Sequence, residues 1–86
     1  MDDLQLEPLS KAAIGKRLEL TRLALGLAPG LFASRAGIGK NTYSQYESGA
    51  REPKLKFALK LCQSYELTLD WIYRGDPSLH PTAPRQ

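Results

Sequence analysis

The sequence predicts an all-α domain of five short helices, on three observations. Apolar residues recur at helical spacing, and strand alternation is nowhere sustained. Glycine and proline cut the chain into helix-length pieces, at Gly26, Pro29, Gly37, Gly49, Pro53 and Gly75. A length of 86 residues suits one domain with a single core of several helices.

Each helix follows from local chemistry. Ser10 is a good N-cap for a first helix over about 11–25, with Gly26 in the left-handed position behind it. Ile14, Leu18, Thr21 and Leu25 share one face of it, with Arg22 at the edge. Leu20 and Leu23 point elsewhere, which predicts a second neighbour. Pro29 suits the first turn of a second helix reaching about Ala36, with Phe32 and Ala33 inward. Gly37 ends it, and Ile38 anchors a tight connection. The third helix is KNTYSQYE, residues 40–47. After a turn through ARE, LKFALKLCQSY makes the fourth, with Leu55, Ala58, Leu59, Leu61 or Cys62, and Tyr65 inward. Thr68 caps a last short helix, LDWIYR, closed by Gly75. Residues 1–9 read as a flexible acidic arm, 10–75 as the folded domain and 76–86 as a flexible proline-rich tail.

Composition excludes several classes of function. Apolar content of 42% and charged content of 24% are those of an ordinary soluble protein. No apolar run approaches the roughly 18 residues of a membrane span, and the start, MDDLQLEPLS, is unlike a signal peptide. One cysteine, Cys62, and one histidine, His80, make neither a disulfide nor a Cys/His metal site, so no metal or cofactor is expected and a cytoplasmic location fits. Cys62 reads as a small core residue, His80 as incidental. There is no paired-carboxylate pocket, nucleophile with a base, or phosphate-cradling glycine loop, which argues against an enzyme. Charge is unevenly spread. Residues 11–60 hold ten Lys/Arg against three acids, while the ends are net acidic. A basic body suggests a polyanionic partner without identifying it.

The third helix narrows the choice. On a helical wheel Lys40, Asn41, Ser44, Gln45 and Ser48 fall on one side, opposite Tyr43 and Tyr46. The tyrosine side packs, leaving amides, hydroxyls and an ammonium to face out. Asn and Gln pair bidentately with adenine, and Lys donates to guanine acceptors. A short helix, a turn at Gly37-Ile38 and a second short helix together make a helix-turn-helix unit from helices 2 and 3. Lys56 and Lys60, four apart, read as a solvated stripe.

Residues 14–75 resemble the lambda-repressor-like, Cro-type (XRE family) DNA-binding domains. The resemblance is carried by Arg22, Gly26-Leu27, Ala33, Ala36-Gly37-Ile38, Thr42-Tyr43-Ser44, Tyr46-Glu47-Ser48-Gly49, Arg51 and Pro53. Leu69-Asp70-Trp71-Ile72 with Gly75 looks like the final helix of phage-repressor-like members. What the resemblance implies is a compact five-helix fold and a sequence-specific transcriptional regulator of double-stranded DNA, a repressor by expectation. Lys40, Asn41, Ser44 and Gln45 match the base-reading positions; Ser48 and Arg51, with Lys54 beside them, match phosphate-holding ones. Arg22 and Glu47 match a pair that forms an internal salt bridge. One departure stands out. Ala28-Pro29 replaces the usual Ser or Thr followed by Gln, whose amide grips a phosphate, and leaves only the N–H groups of Gly30 and Leu31 for that contact. The departure keeps open an alternative, an antitoxin or co-regulator using the fold chiefly to hold a protein partner.

One such domain reads few base pairs, so a homodimer on two half-sites is expected. Leu20, Leu23, Trp71 and Tyr73 are the candidate interface residues.

Overall fold

The computed structural model describes residues 9–76, and every described element is helical. The expected arm and tail lie outside the described residues, apart from Leu9 and Asp76. Helix α1 (Lys11–Ala24) begins at Ser10, whose Oγ accepts the N–H of Ala13 at 3.1 Å. It buries Ile14, Leu18 and Arg22 along one stripe. Leu25, expected on that stripe, is instead 50% exposed. It caps the helix just before Gly26 (φ +72°) redirects the chain, so its side chain leaves the packed face. Leu20 and Leu23 also stand in solvent. Helix α1 does touch two neighbours, α3 and the last helix, but neither covers Leu20 or Leu23.

Helices α2 (Pro29–Arg35) and α3 (Lys40–Glu47) meet through a glycine turn. Gly37 adopts φ +72°, where a Cβ would be strained. Its N–H donates to Ser34 O at 3.0 Å, and the Ile38 N–H reaches back to Ala33 O at 2.9 Å. These two bonds satisfy carbonyls at the end of α2 in the Schellman pattern. Ile38 then plugs the core, as do Phe32 and Ala33 from α2.

Helix α4 (Leu55–Tyr65) closes the base of the core with Ala58 and Leu61. Phe32 stacks on Tyr65, ring centroids 4.3 Å apart, and meets Tyr43 at 5.2 Å. The Tyr65 hydroxyl donates to Phe32 O at 2.6 Å, tying α4 to α2. Leu55 and Leu59, expected inward, are 59% and 49% exposed. The apolar arc of α4 is wider than its neighbours in so small a bundle can cover, and it is covered on one side, at Ala58 and Leu61. Cys62 is half-buried, and burial pushes its thiol pKa up, as befits a packing residue.

The last helix, α5 (Asp70–Arg74), is a single wide turn of π type. Thr68 Oγ1 accepts the Trp71 N–H at 3.0 Å, which gives it the capping role expected of it. Two bonds clamp α5 to α1: Trp71 Nε1 donates to Thr21 Oγ1 at 2.9 Å, and Arg17 Nε donates to Ile72 O at 3.0 Å.

Helix α4 ends on Glu66 in the left-handed region, φ +56°. That conformation costs an L-residue about 1–2 kcal/mol, and the exposed Glu66 side chain has no bond to offset it among those resolved. Glu66→Gly is expected to raise stability by about 1 kcal/mol, net of the greater unfolded-state freedom of glycine. Urea unfolding midpoints of the two proteins check this.

Candidate nucleic-acid interface

The recognition candidate α3 is held from behind. Tyr43 and Tyr46 are buried, whereas Lys40, Asn41, Ser44 and Gln45 are all exposed on the opposite side. The helix therefore stands on its aromatic side and offers its amides outward. Gly39 precedes it in an extended conformation and places Lys40 at its first turn. The Lys40 stem lies beside Gly30 at the start of α2, where a Cβ built on that glycine would meet Lys40 Cδ at 3.6 Å.

The depth at which α3 sits is set by a crossing that inspection of the sequence missed. Gly15 of α1 lies directly under the end of α3. A Cβ built there would fall 2.5 Å from Glu47 O and 2.6 Å from Tyr46 O. Only hydrogen fits. The available signal was the glycine itself, since mid-helix glycine costs about 1 kcal/mol and is kept for a packing reason.

Beside that crossing lies the ionic lock. Arg22 Nε donates to Glu47 Oε2 at 2.7 Å, and Nη2 to Oε1 at 3.2 Å, a bidentate pair. Arg22 Nη1 also donates to Leu27 O at 2.8 Å, which holds the loop leading to α2. The Tyr43 hydroxyl completes the set, donating to Glu47 Oε2 at 2.6 Å. The side chains of Arg22 and Glu47 are only 10% and 17% exposed. Hydrogen bonding to Glu47 raises the Arg22 pKa. Burial pushes the Glu47 carboxyl up, but hydrogen bonds from Arg22 and Tyr43 outweigh it and leave the pKa below normal. Burial, then the bond to Glu47, drives the Tyr43 phenol well above its ordinary range, so it remains a donor. One network thus joins α1, the α1–α2 loop and α3.

On the other flank of α3 a cleft of about 150 Å³ opens toward the start of α4, lined by Gln45, Arg51, Glu52, Lys54 and Phe57 among others. Ser48, Arg51 and Lys54 are exposed and follow from the end of α3, and the two cations, Arg51 and Lys54, line the cleft with Gln45. Gly30 and Leu31 sit in the first turn of α2, across Lys40. The four interface candidates are split. Leu20 and Leu23 are free on the outside of α1. Trp71 and Tyr73 are half-buried against the core, the Tyr73 hydroxyl donating to Pro53 O at 2.8 Å, so they are spent inside the domain.

Two short helices locked at a glycine turn, the second presenting a polar face outward, define a helix-turn-helix protein. A helix-turn-helix family model matches residues 18–72, most of the chain. The chain belongs to the XRE-type helix-turn-helix family. It is also similar to the HTH-type transcriptional regulator ImmR of Bacillus subtilis (strain 168), at 33% identity over 64 residues. That match covers 74% of this chain and 50% of ImmR, so the chain spans about half the length of this curated relative. No solved structure matches the chain significantly. Among the described residues no helix is long and apolar enough to cross a membrane, and no group of His, Cys, Asp and Glu could hold a metal ion.

Proposed function

We propose that this protein is a transcriptional regulator that binds double-stranded DNA sequence-specifically, as a homodimer, with α3 in the major groove. The observation that carries the proposal is the division of α3 into a buried tyrosine side and an exposed side of Lys40, Asn41, Ser44 and Gln45. Similarity to a regulator by name adds support. Lysines and arginines bring the domain to the duplex by displacing counterions. Asn41 and Gln45 then read base edges, with Lys40 and Ser44 beside them. Ser48, Arg51 and Lys54 hold phosphates and set the register. Occupying a promoter this way would repress it.

Selection of bound sites from random duplexes tests the proposal, the expected outcome being a palindromic site. Gln45→Ala is then expected to relax preference at one base position, costing about 1–3 kcal/mol there. Arg51→Ala is expected to weaken all sequences alike and lower the salt slope by about 1. Identical effects of the two changes on selectivity would contradict the roles assigned.

A second reading has one observation in its favour. Pro29 at the start of α2 carries neither a side-chain donor nor an N–H, so a common phosphate contact is missing. An antitoxin or co-regulator would tolerate that loss. Co-purification of a stoichiometric protein partner, with no protected site in footprinting, would favour it.

A further inference from the structure

We propose that Lys40 holds a backbone phosphate instead of reading a base, and that with Arg51 and Lys54 it brackets the amides of α3 between the two strands; the inference rests on the DNA-binding reading above. Three consecutive carbons of the Lys40 stem lie along the start of α2. A Cβ built on Gly30 would fall 3.6 Å from its Cδ, 3.9 Å from its Cε and 4.0 Å from its Cγ. The amine is one bond beyond Cε, so it stays on the α2 side of α3. Lys40 is exposed, and its amine bonds to no acceptor among the described residues. The chain leaves this flank to it alone. Residues 23–34 contain no charged residue, and Ala28, Pro29, Gly30 and Leu31 carry no polar side chain. Arg22, just before them, is spent on Glu47 and the Leu27 carbonyl, and Arg35 lies at the far end of α2.

The order of groups across α3 gives the charge its target. At about 100° per residue, Lys40 and Gln45 stand about 140° apart, with Ser44 and Asn41 between them. Beyond Gln45 the cleft is lined by Arg51 and Lys54. The exposed side therefore runs from a cation, through amides and a hydroxyl, to two more cations. A major groove about 12 Å wide shows the matching order: phosphates of one strand, base edges, phosphates of the other. A helix seated with Asn41 and Gln45 on base edges sets Lys40 against one strand and Arg51 with Lys54 against the other. The side chains suit these places. An ammonium is a compact point charge fit for a phosphate, whereas an amide pairs its donor and acceptor with adenine. Lys40 thus supplies charge on the rim where Pro29 supplies no donor.

The experiment uses Lys40→Met, which keeps an unbranched stem beside Gly30 and removes the charge; circular dichroism confirms the fold. Native chain, Lys40→Met and Arg51→Met are each put through site selection, salt titration and binding to duplexes carrying one neutral methylphosphonate linkage, moved along either strand. Lys40→Met is expected to weaken all sequences alike, keep the native base preferences and lower the salt slope by about 1. One neutral linkage should weaken the native chain and leave Lys40→Met unaffected. It should lie on the strand opposite the linkage found in the same way for Arg51→Met. Preference lost at a base position in Lys40→Met overturns the proposal, whatever the slope. An unchanged slope overturns it too, as does a linkage on the same strand as that of Arg51. If the native chain binds no duplex, the DNA-binding reading fails and takes the inference with it. Failure of the inference alone leaves native binding and its selected site intact.

Discussion

Glu47→Ala is expected to destabilise the domain by about 3–5 kcal/mol, because it strands the buried Arg22 guanidinium without its counter-charge. The same change removes the acceptor of the Tyr43 hydroxyl, so two buried donors lose their partner at once. That is a large part of the 5–15 kcal/mol typical of a domain's total stability. Equilibrium unfolding in urea measures it. A loss below about 1 kcal/mol, the range of exposed ion pairs, would show that the network contributes little. The intact pair also has a pH signature. The Glu47 carboxyl titrates lower in the folded than in the unfolded chain, so the stability it contributes is fully present above the ordinary glutamate pKa of about 4.3 and fades as pH falls through the folded value. Native protein should therefore weaken on acidification below that point, and Glu47→Gln should show a shallower acid limb.

Gly15→Ala is the second large effect. Its added methyl would meet two backbone carbonyl oxygens at 2.5 and 2.6 Å, and backbone cannot rotate out of the way as a side chain can. Helices α1 and α3 must separate instead. Overpacking of this kind costs about 1–3 kcal/mol, against a gain of up to about 1 kcal/mol in helix propensity. A net loss of about 2 kcal/mol is expected. Gly30→Ala is the control, since a Cβ there meets only the Lys40 side chain at 3.6 Å and should leave stability nearly unchanged. Equal midpoints for the two variants would remove the crossing from the account. The consequence for the proposed function is direct: lifting the end of α3 from α1 moves Gln45 and Ser48 relative to the rest of the reading surface.

Much of this molecule was readable from residues in order. Ser10, Pro29, Gly37 and Gly75 act within a few residues of themselves, through a cap, a fixed φ or a left-handed turn, and local chemistry suffices to place them. The two-sided character of α3 was equally plain, since tyrosines and amides separate on any helical wheel. What failed were judgements of burial near element ends and edges. Leu25, Leu55 and Leu59 are apolar and correctly phased, yet exposed. Phase says which residues share a face and nothing about how much of that face a neighbour covers.

The sequence by itself determined the five helices, the turn between the second and third, and the residues that α3 turns toward solvent, because those depend on backbone sterics and periodicity over short spans. Only the tertiary structure decided the close passage at Gly15, the addition of the Tyr43 hydroxyl and the Leu27 carbonyl to the expected Arg22–Glu47 pair, and the bare edge of α4 at Leu55 and Leu59. The Gly15 passage and the Arg22–Glu47 pair join segments far apart in the chain, and the bare edge of α4 depends on which neighbours reach it. Such distances are set by how whole helices pack around one small core.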